Sequence, residues 1–334
     1  MPRAWYLKSR PQGLPTHDNF EFKEMPAQPL HDGQVRVRNQ WLSVDPYMRG
    51  RMNDVKSYVP PFQIGEPLQG GAVGEVVESR AEGFAPGDLV LHMMGWRDEA
   101  VLDATAEAMA GGPTKLPQTG LPPQTFLHNL GLTGATAYFG LLRTAEAKPG
   151  DIVFVSAAAG AVGSAVVQIA KAKGMTVIGA AGGPDKCAWV RELGADACID
   201  YKAGPVLPQL AEAAPKGIDV YFDNVGGDHL DAAYAVARNN ARFAICGMID
   251  AYNTGEPLQL KFFIRTIPAR IRTQGFIYTD YIAEIGQFMA DAGQMIASGQ
   301  LKARETVKDG VESTFDAFLG LFSGENTGKM LVRV

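Results

Sequence analysis

Apolar and polar positions change rhythm twice along the chain. Up to about residue 125 they alternate in short runs: Val35-Arg-Val-Arg38, Gly71–Glu78, and Asp88–His92 after the turn signal Ala85-Pro-Gly-Asp88. Alternation places every second side chain on one buried face, so these runs read as half-buried strands. Many of the prolines also fall here, in loops that long helices would not tolerate. The pattern predicts a β-rich, antiparallel, partly closed and barrel-like domain over residues 1–124.

From residue 125 the period lengthens. Thr125–Arg143 carries apolar residues at helical spacing, and Lys148-Pro-Gly-Asp151 ends it. Short apolar runs then alternate with helical patterns. Strands are predicted at Ile152–Ser156, Thr176–Ala181, Ala197–Asp200, Asp219–Asp223, Arg242–Cys246 and Arg272–Tyr278. Helices are predicted at Val162–Lys173, Lys186–Leu193, Val206–Ala214, His229–Arg238 and Tyr281–Ser298. Such alternation implies βαβ units around a parallel sheet, an α/β domain of the Rossmann type over residues 125–299. The rhythm changes again at the end, with a helix at Val311–Phe322 and a strand at Gly328–Val334. No helix follows that strand, so residues 300–334 are expected to rejoin the first domain.

Composition narrows the functional classes. The 334 residues are 46% hydrophobic and 20% charged, ordinary for a soluble globular chain. With 31 basic against 36 acidic residues the net charge is −5, which argues against nucleic acid as a partner. Ile152–Ala170 is uncharged and nearly long enough to span a membrane. Its β-branched front and helical back, with Gly160, Gly163, Ser164 and Gln168, read instead as a buried strand entering a buried helix. The first residues, broken by proline and charge, carry no export signal, so a cytoplasmic protein is expected. The three cysteines, Cys187, Cys198 and Cys246, lie in the second half and form no CxxC pair. They suit a reducing compartment and cannot supply a four-thiolate zinc site. The five histidines show no HxxxH spacing, so no metal is expected.

The strand Ile152–Ser156 runs into Ala157-Ala-Ala-Gly-Ala-Val-Gly163 and then a helix. This is the dinucleotide fingerprint with its first glycine replaced, Ala158-x-Gly160-x-Val162-Gly163. Gly160 would let the backbone approach a pyrophosphate, and Gly163 would let the helix pack on the sheet. The helix N-terminus offers free N–H groups to the anion. Its place between strand and helix supports the motif. An NAD site usually carries Asp or Glu at the end of the second strand, where this chain has Ala180-Ala-Gly-Gly183. Lys186 follows, and Tyr201-Lys202 ends the third strand. A cation and a phenol around a small-residue gap suit a 2′-phosphate, so NADPH is expected. Asp185 is the dissenting residue.

Hydride transfer leaves developing negative charge on the substrate. Without thiol ligands for zinc, tyrosine is the natural donor, since a phenol with pKa about 10 is protonated at neutral pH. Lys148-Pro-Gly-Asp151, the loop ending Gly160-Ala-Val-Gly163, Leu193-Gly-Ala-Asp196 and Phe222-Asp-Asn-Val-Gly-Gly227 resemble the medium-chain dehydrogenase/reductases. Asp45-Pro-Tyr-Met-Arg-Gly-Arg51, Cys246-Gly-Met-Ile-Asp-Ala-Tyr-Asn253, Gln274-Gly-Phe276 and Gly324-Glu-Asn-Thr-Gly-Lys329 resemble the zinc-free double-bond reductases within that family. The resemblance runs collinearly along the whole chain.

It implies reduction of a carbon–carbon double bond conjugated to a carbonyl, with hydride to the β-carbon and a proton to the α-carbon. Tyr252 would then stabilise the enolate and Tyr47 would face the substrate. Lys186 and Tyr201 would hold the 2′-phosphate, and Asn224, Cys246, Phe276 and Asn326 would line the cofactor. The resemblance also implies a homodimer. Each assignment has a structural alternative: Tyr47 as a packed turn residue, Tyr252 as a loop tyrosine, Asn326 as a turn former and Cys246 as a small buried hydrophobe. Thr133 stands where relatives often carry proline, and Tyr278 lies in a variable region. Two alternative functions stay open: an NADPH-dependent quinone reductase, and a catalytically silent NADPH-binding protein.

Overall fold

The computed structural model describes residues 1–107 and 111–334. Met1–Leu127, Glu305–Asn326 and Met330–Val334 form one folding unit, and His128–Arg304 with Thr327–Lys329 form the other. The first unit opens with β1 (Arg3–Leu7) and β2 (Phe20–Glu24), an antiparallel pair. The alternating run at Val35 lies inside the ten-residue β3 (Gln34–Ser43), whose Val35, Val37 and Leu42 are fully buried. A short helix α1 (Tyr47–Arg51) follows, then β4 (Ala72–Ser79), β5 (Leu89–His92), β6 (Glu99–Asp103) and β7 (Thr114–Lys115).

Thr125–Arg143, which crosses from the first unit into the second at His128, is not one helix. A 3₁₀ turn at Pro123–Leu127 is followed by α2 (Leu132–Phe139) and a π-type turn at Gly140–Thr144. The break comes from the tight fold of His128–Gly131 onto the start of α2. A Cβ on Gly134 would lie 2.1 Å from the Asn129 carbonyl oxygen. The βαβ series then runs β8 (Ile152–Val155), α3 (Ala161–Ala172), β9 (Thr176–Ala181), α4 (Pro184–Glu192), β10 (Ala197–Asp200), α5 (Val206–Ala213), β11 (Ile218–Asp223), α6 (Gly227–Val236) and β12 (Ala237–Ile245). A four-residue turn α7 (Thr266–Ala269), β13 (Arg272–Gly275) and α8 (Ile285–Ala297) complete it.

The helix predicted to reach Arg238 stops at Val236, and β12 begins before Arg242. Arg238, Asn239 and Asn240 are exposed strand residues and read as a polar helix end. All neighbouring strands of this sheet are parallel, in the order β10-β9-β8-β11-β12-β13. This is the doubly wound Rossmann order. Phe154, Ile178, Tyr221 and Phe243 fill its core with Leu210 and Tyr234 from the helices.

The chain ends with β14 (Glu305–Asp309), α9 (Thr314–Ser323) and β15 (Lys329–Arg333). Among the described residues, the sheet of the first unit runs β14-β15-β3-β4-β5-β7, with β6 also paired to β3. Its pairings β15–β3, β3–β4, β3–β6, β4–β5 and β5–β7 are antiparallel. Among the described residues no helix is long and apolar enough to cross a membrane.

Candidate functional site

The strand order of the parallel sheet reverses between β8 and β11. Loops leaving those two strands diverge to opposite faces, and the crevice outside their carboxyl ends is where such sheets bind ligands. Ala158, Gly160, Val162, Gly163, Lys186, Tyr201, Asn224, Cys246, Tyr252 and Phe276 all follow the carboxyl ends of strands in this unit.

The glycine loop is held by its backbone. Ala157 takes a left-handed φ of 47°, the Ala158 amide donates to Ala180 O at 2.9 Å, and the Gly160 amide donates to Ala157 O at 2.9 Å. Gly160 caps α3 in an extended conformation, leaving the amides of the first helical turn free of intrahelical partners. The two glycines serve different purposes. A Cβ on Gly163 would lie 2.2 Å from Ala157 O and 2.8 Å from Ala158 Cα, whereas one on Gly160 would meet only Ala157 O, at 3.2 Å. Gly163 is therefore needed by the fold, and Gly160 leaves room for a ligand to approach. From the other end of the sequence, the Gly328 amide donates to Ala159 O at 2.7 Å and Gly328 bridges Gly160.

After β9 and β10 the small-residue gap is closed on one side by a phenol. A Cβ on Gly182 would lie 2.6 Å from the Tyr201 hydroxyl and 3.0 Å from Lys202 Cε. Burial pulls the Lys186 ammonium below its ordinary pKa, and the neighbouring Lys202 charge adds to that. Lys186, Tyr201 and Lys202 thus gather at one place, where an added anion would relieve the repulsion between the two lysines. Burial also raises the Tyr201 pKa, with Asp200 contributing. The Asp200 carboxylate accepts from the Gly183 amide at 2.8 Å and the Lys202 amide at 2.9 Å, tying the two loops together. Sequence reasoning looked for a carboxylate at the end of β9 and missed this one on β10. Asp185 is exposed.

Asp223, at the end of β11, is a second residue the sequence reading passed over. It is fully buried, and its Oδ1 accepts from Tyr221 Oη (2.6 Å), Ser156 Oγ (3.2 Å) and the amides of Val225 (2.9 Å) and Gly226 (2.8 Å). Its Oδ2 has no partner among the described residues. Burial drives the Asp223 pKa up. The Asn224 amide donates to Ser156 Oγ at 2.8 Å and its Nδ2 to Ser156 O at 2.7 Å. The Asp223 carbonyl accepts from the amides of Cys246 and Gly247. The loops after β8, β11 and β12 are therefore joined through one residue, the first two by the Asp223 carboxyl group and the third by its backbone carbonyl. The detectable signal was a carboxylate at a strand end followed within three residues by Gly226-Gly227.

Cys246 is half-buried, its thiol pushed up to about 12 by burial, with Asp223 next. Such a thiol is scarcely ionised at neutral pH and acts as packing. The Tyr252 hydroxyl turns back onto its own loop, accepting from the Met248 amide at 3.4 Å. That loop is bound to the one after β11 by Ile249 N to Asn224 O (3.4 Å) and Asp250 N to Val225 O (3.2 Å). Phe276 packs edge-on against Phe222 at 6.0 Å, and both rings occupy the space a Cβ on Gly140 would need. Thr133, buried in α2, has no hydrogen-bond partner for Oγ1 among the described residues.

Tyr47 and Asn326 belong to the other unit. Tyr47 opens α1 and packs against the cluster containing Met48, Met52 and Phe62. Burial lowers the pKa of Arg51, one turn on, and the Tyr47 phenol offsets part of that. Asn326 lies two residues beyond Gly324, which ends α9 in a left-handed conformation at φ 67°. Among the described residues, no three His, Cys, Asp or Glu gather as a metal site.

Comparison with known proteins fits this geometry. Residues 3–109 match the "N-terminal domain of oxidoreductase" family and residues 161–293 the "Zinc-binding dehydrogenase" family. The NADPH-dependent curcumin reductase of Escherichia coli (strain K12) is 42% identical over 99% of this chain and 96% of its own length. Prostaglandin reductase 1 of Bos taurus is 39% identical over 99% of this chain and 98% of its own. The crystal structure of CurA in complex with NADPH from Vibrio vulnificus superposes with a TM-score of 0.93 at 42% identity, covering 99% of each chain. A glycine loop at a Rossmann switch point, a separate antiparallel domain and near-full-length identity to these reductases together make this chain a member of the medium-chain dehydrogenase/reductase family.

Proposed function

We propose that the protein is an NADPH-dependent reductase of the carbon–carbon double bond in α,β-unsaturated ketones or aldehydes. The gathering of Lys186, Tyr201 and Lys202 around Gly182 carries the choice of cofactor, because burial and the Lys202 charge disfavour the Lys186 ammonium and a 2′-phosphate beside them would offset both. Ala158, Gly160, Val162 and Gly163 would form the pyrophosphate cradle, with Asn224, Cys246, Phe276 and Asn326 toward the nicotinamide. When bound, NADPH supplies the hydride received by the substrate β-carbon. Tyr252 would turn its hydroxyl from the Met248 amide to the substrate carbonyl oxygen and donate a hydrogen bond to the developing enolate. Asp223 positions the loops on which Asn224 and Tyr252 sit, and Tyr47 is assigned to the substrate side.

The test is NADPH oxidation, followed by absorbance, against enals, enones, a simple quinone and saturated carbonyls. Enones and enals should turn over while saturated carbonyls stay inert, and Tyr252→Phe should lower kcat by roughly ten- to a hundredfold with little change in cofactor affinity. A faster rate with the quinone than with any enone would favour quinone reduction. Absence of any rate, with NADPH still bound, would favour a binding protein. Lys186→Ala should weaken NADPH binding by roughly tenfold and leave NADH within about twofold. Equal losses for both would remove Lys186 from the phosphate site. The reading includes a homodimer, supported by the exposed edge strand β13 and by Ile264 and Ile267, 68% and 73% exposed. A monomeric mass by light scattering would overturn that part.

A further inference from the structure

Cys187 and Cys198 come together from α4 and β10, with their sulfurs 3.1 Å apart. A disulfide bond is about 2.05 Å long, so closure needs roughly 1 Å of movement. Cys187 is buried, its sulfur 3.4 Å from Ile199 O and 3.8 Å from Ala181 O. Cys198 is half-buried and lies on β10, the end strand of the sheet. We propose that this pair is an oxidant-sensitive dithiol, and that its disulfide weakens the grip of the neighbouring loops on the 2′-phosphate of NADPH.

The oxidant is hydrogen peroxide or a small-molecule disulfide. The Cys198 thiolate attacks peroxide, the O–O bond breaks, and a sulfenic acid forms with loss of hydroxide. The Cys187 thiol then displaces hydroxide from that sulfur. Two thiols have lost two electrons and two protons, and the peroxide has become two waters. With a small disulfide as oxidant, the same two electrons release two small thiols. Burial and the Cys187 thiol hold the Cys198 pKa well above its ordinary value, against the opposing pull of Arg191. Thiolate is therefore scarce, and the pair responds to sustained rather than brief oxidant.

The chain links this chemistry to the cofactor site. Lys186 directly precedes Cys187. Two residues after Cys198 comes Asp200, which holds the amides of Gly183 and Lys202, with Tyr201 between. Drawing the sulfurs together shifts both sides of the gap around Gly182. This consequence rests on the NADPH reading; formation of the bond does not.

The experiment treats the full-length enzyme with peroxide, blocks remaining thiols by alkylation, and maps peptides by mass. The expected result is a linked Cys187–Cys198 peptide, lighter by about 2 Da and reversed by dithiothreitol. Cys187→Ser and Cys198→Ser should each abolish the linked peptide. NADPH affinity, read by fluorescence titration, should fall by roughly fivefold on oxidation of the wild type, and by less than about twofold in either serine variant. Alkylation of both thiols after prolonged peroxide overturns the dithiol. A linked peptide with unchanged NADPH affinity overturns its effect on the cofactor, provided Lys186→Ala discriminates NADPH from NADH. Should Lys186→Ala fail to discriminate, the cofactor reading falls while the linked peptide stands.

Discussion

Gly163→Ala is expected to melt far below the wild type and to lose NADPH binding by about a hundredfold or more. The added methyl would meet Ala157 O at 2.2 Å, Ala157 C at 2.8 Å and Ala158 Cα at 2.8 Å. All three are backbone atoms of the loop itself, so no flexible side chain can move aside. Overpacking of this kind costs about 3 kcal/mol or more, and about 2.8 kcal/mol is a hundredfold in affinity. Gly160→Ala is the informative partner. Its methyl meets only Ala157 O at 3.2 Å, and its φ of −84° suits any residue. It should melt within a few degrees of the wild type and still bind NADPH at least about tenfold more weakly, since it fills space left for the ligand. Thermal denaturation and cofactor titration of the two variants separate these effects. Wild-type binding by Gly160→Ala would remove the loop as the pyrophosphate cradle.

Asp223→Ala should be comparably severe for a different reason. It strands the Tyr221 hydroxyl and the amides of Val225 and Gly226 in a buried place and leaves the Ser156 hydroxyl with only the Phe222 carbonyl at 3.5 Å as acceptor. Each stranded buried group costs about 1–3 kcal/mol, offset in part because the unpartnered Oδ2 is removed as well. A net loss of about 3 kcal/mol is expected, with kcat falling as the loops bearing Asn224 and Tyr252 loosen. Asp223→Asn keeps an acceptor for the four donors and should recover most of both. The pH dependence has a definite sign. Burial raises the folded pKa, so the folded state favours the neutral acid. The acid form's contribution is full below the unfolded pKa of about 3.9 and is lost as pH rises through the folded pKa. The stability of Asp223→Asn relative to wild type should therefore improve with rising pH over that window. A flat difference between the two melting curves would show that Asp223 does not titrate there.

The central sheet was readable because buried parallel strands are short apolar runs and the helices between them keep the longer period. Strands β9 and β10 fall at the predicted residues. The same logic explains the failures. Glu305–Asp309 has no fully buried residue, so β14 carries no alternation to detect. The first residues of β12, Arg238–Asn240, are exposed, and Asn240 turns to a φ of 62°, which no hydrophobic pattern announces. At the candidate site, the glycines and cations were visible because they directly follow the strand ends in the sequence. Asp200 and Asp223 were not, because each acts by holding loops from different strands, and that depends on strand order. Tyr252 was legible as a residue, but the orientation of its hydroxyl toward Met248 belongs to the folded loop.

The bond from the Gly328 amide to Ala159 O joins the glycine loop to a segment synthesised long after it. A chain still emerging from the ribosome has β8 and α3 in hand long before Gly328 leaves the exit tunnel. During synthesis the glycine loop therefore lacks this contact until Gly328 has emerged. Ribosome-stalled chains ending before Thr327 should hold nicotinamide cofactor poorly even with every strand of the parallel sheet present. Loading with cofactor then becomes a late step in the life of the protein, and a truncated product is left empty.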